Sequence, residues 1–259
     1  MKKRHQMKII SFKRFVYSIL CICIYCNPLF AENVKVGAYH FPPFVVVDKN
    51  NNKVEGITKK LIHEMNLLQK KIKFELFLTS PSRRFYDFDQ KNFDLIMFED
   101  IKWGWKNKDI VASNVFLKGG EVYITKADPS KNQSYFDSLK DKHIAIIKGY
   151  HYGFANFNSD EKYLKNHFKI QFSSYHEGNI LKVIFGRADI SIVNLCYLRS
   201  FLLNHPEKKN QILISEKFDQ RYNHTILARK NSAVKMSEIN QLLSQMEKSG
   251  TLSRIACSK

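Results

Sequence analysis

Glycine and proline are scarce in this 259-residue chain, with 10 and 6 copies, and tryptophan is scarcer still with two. That poverty excludes collagen-like and Pro/Gly-rich low-complexity chains. No internal repeat is visible, which argues against solenoids and propellers. Of five cysteines, Cys21, Cys23 and Cys26 crowd near the N-terminus and only Cys196 and Cys257 lie beyond it. Two cysteines make no disulfide framework. Beyond residue 31 the histidines stand singly, without H-x-H or H-x-x-x-H spacing, and no C-x-x-C occurs, so neither a metal nor any other cofactor is expected.

Acid is the other absence. The first 31 residues carry Lys2, Lys3, Arg4, Lys8, Lys13 and Arg14 and no carboxylate, followed by the mostly apolar run Phe15 to Tyr25. With Asn27-Pro28-Leu29-Phe30-Ala31 after it, this is the pattern of a secretory signal peptide over residues 1–31, with cleavage expected after Ala31. Eleven residues fall short of the ~20 of a spanning helix. No Leu-x-(Ala/Gly) precedes a cysteine there, so a soluble exported, periplasmic protein is expected rather than a lipoprotein. Removing residues 1–31, with six Lys/Arg and no acid, would leave 228 residues with 36 basic against 24 acidic side chains. The positive charges are scattered along helical segments, as in Lys59-Lys60, Lys70-Lys71-Lys73 and Lys208-Lys209. Solvated helix faces explain them better than a basic arm, so nucleic acid is not an expected partner.

What is present is an alternation of strand and helix patterns. Val34 to Tyr39 alternates like a strand, Ile57, Leu61, Ile62, Met65 and Leu68 recur at helical spacing, and Phe74 to Leu78 returns to a strand. A short helix is expected from Ser80-Pro81, with Ser as cap and Pro at its first position. Phe93 to Phe98 is apolar enough to be buried on both faces. The βαβαβ order implies a mostly parallel sheet with helical crossovers. The pattern restarts at Gly120–Thr125 and His143–Ile147, with a helix over Asp160–His167, strands at Ile170–Phe172 and Ala188–Asn194, and a helix over Leu195–Leu203. Strands at Ile212–Ile214 and Thr225–Ala228 precede a last helix carrying Met236, Ile239, Leu242, Leu243 and Met246.

Six segments in this order resemble the family 3 extracellular solute-binding proteins, the polar amino-acid receptors of bacterial ABC importers. They are Val34-Lys35-Val36-Gly37 with Phe41-Pro42-Pro43-Phe44, Val54-Glu55-Gly56-Ile57, Asn92-Phe93-Asp94-Leu95-Ile96, Leu139 to Gly149, Gly186-Arg187-Ala188-Asp189, and Gly250-Thr251-Leu252. The resemblance implies an α/β fold of type II periplasmic binding proteins: two α/β domains with mostly parallel sheets, joined by two crossing strands, with the ligand cleft between them. It places domain 1 at 32–121 and 219–259 and domain 2 at 122–218. It further implies a non-catalytic monomer that binds a small-molecule ligand and serves an ABC permease or a membrane sensor. Cys196 and Cys257 fall in different expected domains, so two free thiols are expected.

The likeness breaks where the family holds its ligand. Its carboxylate-binding Arg falls on Lys106, which lacks the planar fork of a guanidinium. Glu99 and Asp100 replace small hydroxyl residues, and Asn194 replaces an Asp that meets the ligand ammonium. The loop FEDIKWGWK, Phe98 to Lys106, places both tryptophans, Trp103 and Trp105, behind those acids at the C-terminal end of a parallel strand, where ligands sit in such sheets. With Phe41 they would suit a cation or a sugar-like ring, the alternative being that they pack the loop onto its own domain. Arg83 and Arg84, in the first turn of a helix and against its dipole, point to an anion site or to solvated surface. Gly149 and Tyr150 end a strand facing the cleft. The expected ligand-binding set is therefore Phe41, Arg83, Glu99, Asp100, Trp103, Trp105, Lys106, Gly149, Tyr150 and Asn194. Two other readings stay open: a periplasmic cyclohexadienyl dehydratase-like enzyme using Glu99 or Asp100 as acid, and an interaction protein with a vestigial cleft.

Overall fold

The computed structural model describes residues 32–48, 51 and 53–255; the expected signal peptide and Cys257 lie outside them. Strand β1 (Glu32–Ala38) starts lobe 1, and the small hairpin β2 (Val46–Val47) and β3 (Val54–Glu55) leads into helix α1 (Ile57–Leu68). Next come β4 (Ile72–Leu78), the short α2 (Arg84–Asp89), β5 (Leu95–Glu99) and β6 (Ile110–Ala112). β4 and β5 run parallel to β1 on either side of it. The expected βαβαβ order is thus what forms.

The long β7 (Leu117–Lys126) leaves lobe 1. Lobe 2 holds β8 (His143–Ile147), α3 (Glu161–His167), β9 (Lys169–Ser173), α4 (His176–Ile184), β10 (Ile190–Asn194) and α5 (Leu195–Asn204). The return is β11 (Ile212–Arg229), one strand of 18 residues where the sequence pattern shows two short ones. Helices α6 (Met236–Lys248) and α7 (Thr251–Ile255) close lobe 1. The strand order β4-β1-β5-β11-β7-β10-β8-β9 makes β7 and β11 the antiparallel pair that links the lobes.

Helices pack on the sheet in each lobe, and the larger apolar cluster runs on from lobe 1 through Tyr150 and Tyr152 to Ile144 and Ile190 of lobe 2. In lobe 1 Leu61 and Met65 of α1 and Ile239 and Leu243 of α6 pack with Val34, Val36, Phe74 and Leu95. Burying one such side chain contributes about 1.5–3 kcal/mol. In lobe 2 Ile180, Val183 and Ile184 of α4 and Leu198 and Phe201 of α5 pack on Val122, Ile124 and Val193. Between the lobes the strand pair is thinned: a Cβ on Gly119 would lie 2.3 Å from the Tyr222 ring, so only glycine lets that ring cross β7. The register of β11 shifts between Phe218 and Gln220, beside the linkage.

Two expectations are corrected here. Pro81 does not begin the helix; Ser80 instead closes a turn, its Oγ accepting from Arg83 N at 3.2 Å, and α2 starts at Arg84. Cys196, the one cysteine among the described residues, is disulfide-bonded, so it is not the free thiol expected.

Candidate functional site

The lobes meet across a chamber lined by Tyr39, Phe41, Arg84 and Trp103 from lobe 1, by Tyr150 and His151 from lobe 2, and by Glu121 and Gln220 on the crossing strands β7 and β11. Its free volume is about 10 Å³, room for about one water molecule. The chamber is full of side chains.

Arg84 is its charged centre. The guanidinium is buried, and its Nη1 donates to the carbonyls of Pro81 and, at 3.2 Å, Gly149. Its Nη2 donates to Trp103 O at 3.4 Å and to His151 Nδ1 at 3.1 Å. The cation also sits 4.3 Å from the Phe85 ring centroid and 5.0 Å from that of Tyr39. As acceptor to Arg84, His151 keeps its proton on Nε2, which faces Ser159 Oγ at 3.3 Å. Burial first, and then the neighbouring Arg84, push His151 down to about 3, so it stays neutral.

Glu99 lies behind Arg84 rather than in the chamber. Oε2 accepts from Trp105 Nε1 at 2.6 Å, while Oε1 faces Arg84 Nε at 3.7 Å, and neither of that last pair has a hydrogen-bond partner. Burial raises the Glu99 pKa and Arg84 opposes that rise. The carboxylate is aimed by a backbone irregularity: Phe98 has φ 61°, and the β5–β11 register shifts so that Met97 pairs with Ile226 and Glu99 with Thr225. A bulky residue in the left-handed region is strained, and such strain clusters at functional sites.

Gln220, on β11, is the hub that sequence reading missed. Its Oε1 accepts from Trp103 Nε1 at 2.8 Å, and its Nε2 donates to Glu121 Oε2 at 2.8 Å and His151 O at 2.6 Å. Next to it, Asp219 accepts from Tyr123 OH and from the Gly153 and Phe154 amides at 2.6–2.8 Å. Burial, then the charge of Asp219, push Glu121 up to about 8. Nothing in the periodicity distinguishes Glu121, which sits inside an ordinary strand pattern, or Gln220, which lies between the two short strand patterns that β11 joins.

The expected site residues divide. Phe41, Trp103 and Tyr150 line the chamber, and Phe41 packs edge-on against Trp103 at 5.8 Å and Tyr150 at 5.6 Å. Tyr150 OH donates across the cleft to His40 O at 2.7 Å. Gly149, at φ 80°, touches lobe 1 directly: a Cβ there would lie 2.6 Å from Ser82 Oγ and 2.8 Å from Ser82 N. Trp105 is wholly buried against Phe85 and Phe88 inside lobe 1. Arg83 points outward with a side chain 69% exposed, 3.5 Å from Asp87; its neighbour Arg84 takes the cleft. Asp100 fastens its loop, Oδ1 accepting from Lys102 N and Oδ2 from Asn223 N. Lys106 is exposed. Asn194 caps α5 through Tyr197 N at 3.0 Å and donates to Tyr222 OH. Among the described residues no cluster of His, Cys, Asp and Glu could hold a metal ion.

Comparison with known proteins fits this geometry. The family model "Bacterial extracellular solute-binding proteins, family 3" matches residues 34–257. Holo ArgBP from T. maritima is similar at 22% identity and TM-score 0.64, covering 86% of this chain and 94% of that one. An arginine 3rd transport system periplasmic binding protein from Legionella pneumophila shows 21% identity and TM-score 0.65, with 87% and 98% covered. The ancestral amino acid-binding protein AncCDT-1, a precursor of cyclohexadienyl dehydratase, shows 21% identity and TM-score 0.65, with 86% and 92% covered. At these identities the likeness is one of fold, that of type II periplasmic binding proteins. No curated protein matches the chain by sequence.

Proposed function

Because this chain belongs to the bacterial extracellular solute-binding proteins, family 3, we propose that it is an exported, non-catalytic receptor. Its lobes clasp a small polar solute, amino-acid-like or cationic, for an ABC-type importer or a membrane sensor. The hinge lies where β7 and β11 pass between lobes, at 121/122 and 218/219. One observation carries the reading: the lobes are latched by exchangeable polar contacts, above all Arg84 to Gly149 O and His151 Nδ1. If the lobes part, both acceptors leave and two donor nitrogens of a guanidinium face the cleft between Phe41 and Trp103. A solute carboxylate is the group that best replaces them. Closure then excludes water from the contact.

The vestigial-cleft reading has its own observation, the ~10 Å³ chamber, which holds no amino acid as it stands. The two readings separate on binding. Thermal melting of the purified exported protein against amino acids, polyamines, sugars and small anions should find a solute that raises Tm, since a ligand of the native state stabilises it by mass action. If none shifts Tm and calorimetry is silent, the receptor reading fails and the plugged cleft is the resting state.

A further inference from the structure

A second space opens between the lobes, beside the filled chamber. Its volume is about 350 Å³, a size common for small-molecule sites. Lobe 1 contributes His40, Val47 and Asp48 to its wall; lobe 2 contributes His176 and Glu177 from the start of α4, and Tyr197 from α5. Tyr150, which lines the chamber, also packs edge-on against His176 at 5.8 Å.

His176 is the informative residue. It is 1% exposed, and neither ring nitrogen has a hydrogen-bond partner. Its contacts are rings: Tyr150, and Tyr197 at 5.3 Å. Native chains pair their buried polar groups with few exceptions, and an exception on the wall of a crevice points to a group that completes it. Burial pushes His176 down to about 3, so it presents one acceptor and one donor nitrogen without charge.

The charges around it are one-sided. In a chain with 42 Lys and Arg against 24 acids, the lining holds two carboxylates, Asp48 and Glu177, and no Lys or Arg among the described residues. The free amides at the start of α4 alone would favour an anion, but Glu177 in the first turn answers that dipole. Aromatic faces complete the wall: Tyr175 stands edge-on to His40 at 4.8 Å, with Tyr197 across from His40 on the other lobe. Rings beside carboxylates suit a cation with a flat or apolar body.

We propose that this crevice is a second binding seat, taking a small organic cation between the lobes with its charge against Asp48 and Glu177 and a hydrogen bond to His176. It adds a seat to the clasp proposed above and can fail without it. Occupancy would hold the lobes together, because each supplies one of the carboxylates.

Calorimetry of the purified exported protein with tyramine and agmatine, and with 4-hydroxyphenylacetate as an anionic counterpart, tests it. At least one cation is expected to bind and the anion not to. Glu177→Gln and Asp48→Asn should each weaken the cation roughly threefold to tenfold. His176→Phe keeps an aromatic ring and removes both unpaired nitrogens, so it should largely keep Tm, the slightly larger ring aside, while weakening the cation. Cation binding unaltered in Glu177→Gln and His176→Phe would overturn the proposal, as would an absence of cation binding in a protein that does bind another solute of the panel. If no solute of any class binds, the receptor reading falls and the crevice proposal with it.

Discussion

The indole Nε1 of Trp103 donates to Oε1 of Gln220 at 2.8 Å, joining the loop after β5 to a crossing strand 117 positions further along the chain. Because Gln220 also serves Glu121 and His151 O, Gln220→Met would leave three buried groups without that partner. The expected loss is about 2–4 kcal/mol of stability, read as a lower urea midpoint. An unchanged midpoint would mean that the hub is incidental.

Arg84 and Arg83 make a sharper pair. Arg84→Met removes the guanidinium that faces the buried Glu99 carboxylate, and stranding a buried charge costs about 3–5 kcal/mol. Arg83→Met removes an exposed group 3.5 Å from Asp87 and should barely move the midpoint. Comparable losses in both variants would contradict the placement of the cleft arginine at 84.

That contrast also shows what was legible in the sequence. Order and periodicity are local properties, so the βαβαβ run, α3, α5 and α6 could be read from the sequence pattern, and the six ordered segments carried the fold. The site was less legible because it is made by contacts across more than sixty positions. Periodicity does not say which of two adjacent arginines turns inward; that depends on a turn at Ser80–Arg83 that displaces the helix start. Glu99 and Trp105 read as ligand groups because they sit at a strand end, yet the indole N–H is held by Glu99 Oε2 inside lobe 1. Asn194 reads as a substituted ligand and is a helix cap. Gln220 left no signal, since its role comes from a register shift in β11.

Glu121 predicts a pH dependence. Its folded pKa is about 8, above the ~4.5 of an exposed glutamate, so the native state holds a proton that the unfolded chain gives up. Its contribution is full below about pH 4.5, falls as pH rises, and is lost once pH passes about 8. Asp219, also raised, adds a change of the same sign, whereas the buried Tyr150 and Tyr222 nearby stay protonated throughout. Glu121→Gln, which can still accept from Gln220, should therefore gain stability over wild type increasingly between pH 5 and 8, by a few kcal/mol at most. Parallel stability curves for the two proteins across that range would refute the raised pKa.

The two tryptophans should part company in solution. Trp103 lines the chamber together with Tyr150 and His151 of lobe 2, so movement of the lobes changes its surroundings. Trp105 is sealed inside lobe 1 and bonded to Glu99. A solute that closes or opens the cleft should shift or quench the emission of wild type and Trp105→Phe, and do so far less in Trp103→Phe. Affinity then locates the solute. One seated on Arg84 should lose roughly 1–3 kcal/mol of binding in Trp103→Ala, the usual worth of a stacked ring. A cation in the crevice should keep its affinity within about threefold there, because Trp103 is not part of that wall. If a confirmed solute binds both variants as wild type and is indifferent to Glu177→Gln, the aromatic loop is packing. Recognition would then have to come from lobe 2 surfaces outside both spaces.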